Sequence, residues 1–167
     1  DAFLKGMEKQ NARIKEIINN PDAPTFANTI ATLETSGQEL ERAEYTFEPI
    51  ENSNSTEEIR ELSKEMSPLF SKHHDEIYMN PALFQRVKKV YDDMSSTDMT
   101  HEQKKVVEKI YKQFERNGAN LSDADKARLS DLNEEIASLQ IQFSNNLLHE
   151  TNNTFVTVDK LSDLDGL

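Results

Sequence analysis

Few side chains here could do chemistry, and four of them are histidines: His73, His74, His101 and His149. A histidine followed by a glutamate opens the pattern His-Glu-x-x-His. On a helix, its two imidazoles point the same way and grip one zinc ion, while the glutamate acts as general base. His101-Glu102 opens that pattern, but Lys105 stands at the second histidine position. His149-Glu150 opens it again, and there the position holds Asn153. A protonated lysine cannot ligate a metal, and asparagine is a poor zinc ligand. Both openings read as accidents of composition.

His73 and His74 are adjacent, and a metal site there would need carboxylates at helical spacing. Asp75 and Glu76 are near but wrongly directed for His73. His73 is therefore expected at a helix interface and His74 in solvent. The Glu-x-x-His unit of di-iron helical bundles is absent, because Phe70, Ser71, Asp98 and Asn146 stand three residues before the histidines. Asp98-x-x-His101 comes nearest, but it straddles a connector and reads as capping chemistry. Ser36, Ser55 and Ser122 have caps or surfaces as their work, and no serine, histidine and aspartate spacing argues for a nucleophile. Cysteine is absent, which excludes disulfides and thiol catalysis. No residue of this chain is assigned as catalytic, cofactor-binding or metal-binding.

The elements that would position these groups are helical. A first helix is expected over about residues 2–19, with Phe3, Met7, Ile14 and Ile18 on one face, ended by Pro21 and Pro24. Thr25 can cap a second, whose stripe is Phe26, Ile30, Leu33, Gly37, Leu40 and Phe47. Gly37 on that stripe suggests the close approach of another helix. Pro49 and Asn52-Ser53-Asn54 are expected to end it. Ser55 and Glu58 form a capping-box pattern for a third helix, carrying Ile59, Leu62, Met66, Leu69, His73 and Ile77. Its register holds across Pro68, which predicts a kink or two abutting helices. Asn80-Pro81 opens a fourth helix, burying Phe84, Val87, Val90, Tyr91 and Met94. Thr100 and Gln103 open a fifth, burying Val106, Val107, Ile110, Tyr111 and Phe114.

The last segment is the most informative. Gly118 closes the fifth helix with a left-handed residue, and Ser122 caps a long sixth, with Asp123 and Asp125 in its first turn. Leu129, Leu132, Ile136, Leu139, Phe143 and Leu147 then predict one buried stripe. Residues 154–158, Thr-Phe-Val-Thr-Val, switch to β-branched and aromatic types and predict a short strand without a partner. Residues 159–167 read as a helical turn and an exit. The fold expected is all-α: about six helices in an antiparallel array, with one orphan strand. Stripe and strand together make this chain the front part of something larger.

Composition sets the bounds. The chain has 167 residues, 35% hydrophobic and 30% charged, with 4 glycines and 5 prolines, which suits long helices with wide solvated faces. Net charge is −12, and ten glutamates between Glu34 and Glu65 face only Arg42, Arg60 and Lys64. Such a surface repels phosphate backbones and anionic lipids, so neither nucleic acid nor a membrane is an expected partner. The glutamates read as a solvated face, and the aromatics at helical spacing as core. Any targeting segment is expected upstream of Asp1. The compartment is therefore not read, with the cytoplasm favoured and the periplasm the other candidate.

Ordered motifs carry a resemblance. They are Phe114-Glu115-Arg116-Asn117-Gly118-Ala119, Leu121, Lys126-Ala127-Arg128-Leu129, Leu132-Asn133 and Phe143-Ser144-Asn145-Asn146-Leu147. Two earlier stretches agree: Pro24-Thr25-Phe26-Ala27-Asn28-Thr29-Ile30 with Leu33-Glu34, and Asn80-Pro81-Ala82-Leu83-Phe84 with Val87. In order and separation they resemble the N-terminal helical region of the thimet oligopeptidase family of zinc metallopeptidases, nearest its bacterial peptidyl-dipeptidase and oligopeptidase A branch. The resemblance implies a parent enzyme that hydrolyses short peptides with one zinc ion, held by a His-Glu-x-x-His and a further glutamate beyond Leu167. It implies that residues 1–153 form a helical lobe walling the substrate channel, and that 154–167 lead into the remainder. The partners implied are that catalytic remainder and short peptide substrates, with zinc in the parent and no cofactor in this chain. Periodicity and charge alone fit a second reading equally well: an all-helical interaction module with no enzymatic parent.

Overall fold

The computed structural model describes residues 1–53, 56–155, 157, 158 and 160, and every helical rod after the first starts at a side chain that accepts from a free backbone N–H group. Helix α1 (Ala2–Asn19) buries Phe3, Gly6, Met7, Ile14 and Ile17. After the prolines, the Thr25 hydroxyl accepts from the Asn28 N–H at 3.1 Å, and the Asn28 carboxamide accepts from the Thr25 N–H at 2.8 Å. That reciprocal box opens the second rod.

The second rod is not one regular helix. It begins as a π-helical turn (Phe26–Ala31), continues as α2 (Thr32–Ser36), breaks at Gly37 and resumes as α3 (Gln38–Ser53). Its threonines explain the irregular start: the Thr32 hydroxyl donates to the Ala27 carbonyl five residues back, at 3.0 Å, competing with the regular ladder. Pro49 does not end the rod. The helix runs on to Ser53, because the bond Pro49 cannot make would go to the carbonyl of exposed Tyr45.

Helix α4 (Glu57–Tyr78) is capped by Thr56, whose hydroxyl accepts from the Ile59 N–H at 3.4 Å; the expected cap, Ser55, lies outside the described residues. It passes through Pro68 as a single helix. Asn80 caps α5 (Pro81–Asp93), and the Thr100–Gln103 box caps α6 (His101–Arg116). Gly118, at φ +87°, ends α6: its own N–H reaches the Glu115 carbonyl at 3.2 Å and the Ala119 N–H reaches Phe114 at 3.0 Å. Ser122 caps α7 (Asp123–Asn153).

The helices form three antiparallel pairs. In α1 and α3, Phe3 meets Phe47 while Gly6 meets Leu40. In α5 and α6, Phe84 meets Phe114 while Tyr91 stacks on Tyr111 at 4.0 Å. In α4 and α7, Asn133 bonds Asp75 and the Ala137 carbonyl bonds Ser67. The core runs through the first five rods, from Phe3, Met7, Leu40 and Met66 at one end to Leu83, Val87, Val107 and Phe114 at the other. Of Gly6, Gly37 and Gly118, Gly6 alone lies against another backbone: an added Cβ there would be 2.8 Å from the Leu40 Cα. At Gly37, the position singled out in the sequence, the neighbour is the end of the flexible Gln10 side chain.

Two expectations fail at the end of the chain. The stripe on α7 is not buried: Leu132, Ile136, Leu139, Phe143 and Leu147 are all exposed, and no residue of α7 is fully buried. Leu129, at the start of the stripe, is half-buried; from Asp131 on, the half-buried residues are Asn133, Ala137, Ile141 and Asn145, on the side toward α4. Apart from Ile141, small and polar groups make that contact, because most of the larger side chains point away from it. The orphan strand is also absent. Thr154, Phe155, Thr157 and Val158 belong to no strand, and Val156 lies outside the described residues. No strand among the described residues could pair its backbone groups, and an unpaired strand does not hold in water. The helical turn read over 159–167 falls almost wholly outside the described residues.

Candidate functional site

The two His-Glu openings do ordinary helix work. His101 is the first residue of α6 and exposed. Beside it, the Glu102 carboxylate takes a hydrogen bond from its own N–H and from the Thr100 hydroxyl, and these hold its pKa below the usual carboxylate value. Lys105, at the would-be ligand position, pairs with Glu108 at 2.9 Å. Asp98 is exposed beside the Thr100 cap, so the cap itself is the threonine. On α7, the Asn153 carboxamide bonds the His149 carbonyl at 2.9 Å and lies 3.1 Å from its ring Nδ1. Among the described residues, no three His, Asp or Glu side chains are grouped to hold a metal ion.

His73 lies where the spacing placed it, buried at the α1–α4 interface with Nε2 2.8 Å from the Gln10 Oε1. Burial lowers its pKa from the ordinary histidine value. Its neighbour His74 is half-exposed, its ring against Tyr78, and its pKa is lowered too, chiefly by burial. Gln10 also donates to Ser36, at 3.4 Å, and Ser36 donates to the Leu33 carbonyl at 2.7 Å. Ser36 is therefore a buried link between α1 and α2, not a cap or surface group.

Asp75 went unnoticed in the sequence as a structural group. It is buried on α4, its Oδ1 accepting from the Asn133 carboxamide of α7 at 2.9 Å, while its Oδ2 has no hydrogen-bond partner among the described residues. A lone aspartate on a helix surface pattern carries no sign of a partner 58 residues away. Nearer the other end of the seam, a groove of about 430 Å³ opens between α1, α3, α4 and α7. Phe3, Phe47, Met66, Phe70 and Ile141 line it, and Glu44, Glu48 and Glu51 rim it. Phe3 packs edge-on against Phe47 and Phe70, with centroids at 5.4 and 5.1 Å, so these rings are core with one side open. Partial burial, then Glu41 and Glu48, raise the Glu44 pKa.

The largest feature without an internal explanation is the open apolar side of α7. Ile136, Leu139 and Phe143 flank a shallow surface depression there. Periodicity found those residues; only the structure shows that nothing among the described residues covers them.

Comparison with known proteins gives these surfaces a setting. No family model matches the chain. The dipeptidyl carboxypeptidase of Escherichia coli strain K12 is 35% identical over 166 residues, which are 99% of this chain and 24% of that protein. The chain belongs to the family of dipeptidyl carboxypeptidase and oligopeptidase A. A thimet-like oligopeptidase of Dictyostelium discoideum is 25% identical over 162 residues, 95% of this chain and 24% of the relative. The oligopeptidase A of Haemophilus influenzae is 26% identical over 157 residues, 92% of this chain and 22% of the relative. The chain thus spans about a quarter of the length of the curated relatives it matches, and it is an N-terminal region of that family. Among the described residues, no helix is long and apolar enough to cross a membrane.

Proposed function

We propose that this chain is the non-catalytic N-terminal helical part of a zinc metallopeptidase that hydrolyses short peptides. In this reading, residues 1–153 form a lobe that walls the substrate channel and limits substrate size, and 154–167 lead into the catalytic part. One observation supports it most: the match to peptidases runs along 99% of this chain yet takes up only 24% of the relative. The cytoplasm is the compartment we favour.

The metal would be held outside this chain, where it would activate water for attack on the scissile carbonyl. What this chain contributes is steric and structural. Every rod after the first is capped at its N-terminus by a side chain, and the chain's net charge of −12 keeps its acidic face solvated. A rigid wall of this kind admits a short or unfolded peptide and excludes a folded protein.

The test begins with the full reading frame of the gene. It is expected to encode a His-Glu-x-x-His downstream of residue 167. Its full-length product should cleave short peptides, lose that activity to a chelator, and leave folded proteins uncut. This chain alone should do none of it. A full-length product that lacks the motif and cleaves no peptide would leave the interaction-module reading in its place.

A further inference from the structure

Residues 136–149 of α7 contain no Asp, Glu, Lys or Arg, in a chain of which 30% is charged. The absence is not confined to the apolar stripe. Helical geometry sets Ser138 and Gln142 to one side of that stripe and Gln140 and Ser144 to the other, and all four are exposed. Only the narrow side carrying Ala137, Ile141 and Asn145 faces α4. A helix that stays at the surface keeps charges on its open side, as α6 does with Lys105, Glu108 and Lys112. Surfaces enclosed by a partner lose charge first at their centre.

Three occupants could cover such a helix. A membrane surface is disfavoured by the shortage of cations and the net charge of −12. A second copy would meet the apolar side by a two-fold contact and leave one flank open. The relatives, four times as long as the matched stretch, supply enough chain to surround it.

We propose that residues 136–149 of α7 form an enclosed helix in the full-length protein. The rest of the same polypeptide packs against Leu139, Phe143 and Leu147 and against both flanks, with α4 closing the fourth side. This rests on the reading of the chain as part of a larger peptidase. It adds which helix carries the seam, and that the seam is wrapped and not one-sided.

The chain has no cysteine, which makes thiol labelling a clean test. Phe143→Cys, Gln142→Cys and Ser144→Cys are made singly in this chain and in the full-length protein, with any other cysteines of the latter replaced. Maleimide labelling rates are then compared site by site. All three should label fast in this chain, and all three should slow by about 100-fold or more in the full-length protein. Hydrogen exchange of residues 138–148 in the two unmodified proteins guards against a variant that fails to fold, and should show the same contrast. Fast labelling and exchange in both proteins overturn the proposal even if the full-length protein cleaves peptides. Slowing at Phe143→Cys alone overturns the wrapping. Slowing already in this chain, rising with concentration alongside a dimer in sedimentation, makes a second copy the occupant and overturns it too. Protection in a full-length protein that cleaves no peptide supports the enclosed helix and sinks the peptidase reading instead.

Discussion

Phe114 and Phe143 are the same side chain on consecutive helices, and they meet opposite fates. None of the Phe114 surface is exposed, while 69% of the Phe143 surface is. Phe114 ends α6 among Tyr78, Phe84 and Ala119, under a Gly118 turn that folds the chain back over it. Phe143 stands on a side of α7 that no described residue covers. Both belong to stripes of the same spacing. Such a stripe tells which residues share a side of a helix; it does not say whether the cover is encoded nearby, far along the chain or in another molecule. The body made by α1 to α6 is a complete core. Helix α7 is half of one.

The sharpest way to break that contrast is to truncate the two phenylalanines. Phe114→Ala should destabilise the chain by about 3–5 kcal/mol, because it removes a fully buried ring and leaves a cavity among aromatic neighbours. Phe143→Ala should change stability by less than about 0.5 kcal/mol, as exposed substitutions do. Urea unfolding followed by circular dichroism measures both. Comparable losses would mean that Phe143 is covered in solution, and that α7 has a partner even in this chain.

Next comes the anchor of α7. Asn133→Ala removes the carboxamide that donates to the buried Asp75 Oδ1, at a cost of about 1–3 kcal/mol. The loss should be local. Amides of Asp123–Asn153 should exchange faster while those of α5 and α6 keep their protection, since the body does not depend on α7 for its core. Uniform acceleration through the chain would show that body and long helix unfold as one unit.

How much of this was legible in the sequence follows the range of the physics. Caps are local, and Thr25, Asn80, Thr100 and Ser122 all stand where their side chains predict. So does Gly118, because a left-handed turn after a helix is written in one residue. Most of the body's stripes were legible too, since their covers lie within the same chain, although Leu62 and Leu69 of the α4 stripe are exposed and Ser63 is buried in their stead. Pro49 misled, because a proline halts a helix only where its missing bond matters. The π-helical start of the second rod was hidden in a competition between threonine hydroxyls and the backbone. Asp75–Asn133 and Gln10–His73 join residues 58 and 63 apart, and nothing in either helix alone announces them. The strand read over 154–158 shows the limit from the other side: residue types favoured a strand, but a strand is made by a neighbour.

Gly6 gives a smaller test inside the body. Gly6→Ala gains helix propensity worth about 1 kcal/mol, but its new methyl meets the Leu40 backbone, which cannot swing aside. Overpacking of that kind costs about 1–3 kcal/mol, so the net should be a loss of about 1 kcal/mol. Gly37→Ala meets only the movable end of Gln10 and should cost less, or stabilise. Thermal melts of both variants decide it. If Gly37→Ala proves the worse of the two, the tight crossing lies at the break between α2 and α3.

The smallest effect separates body from long helix by pH. His73 is buried against Gln10, and burial keeps its pKa below the ordinary histidine value. An unfolded chain protonates this residue near its reference pKa of about 6.5, while the folded body resists until lower pH. Between those two points the unfolded state binds more protons, so stability is full above about pH 6.5, falls as pH drops toward the folded pKa, and then levels off. One such histidine can contribute at most about 1.4 kcal/mol per pH unit. His73→Gln removes the titration and should shrink the loss in urea midpoint between pH 7.5 and 5.5. His74→Gln should shrink it less, because His74 is half-exposed. Exchange rates in α7, corrected for intrinsic pH effects, should not follow the His73 part of this change, because His73 packs α4 against α1, whereas His74 lies 3.9 Å from the Asp75 oxygen that anchors α7. Equal midpoint losses in the parent and in His73→Gln would mean that the acid-sensitive group of the body is not His73.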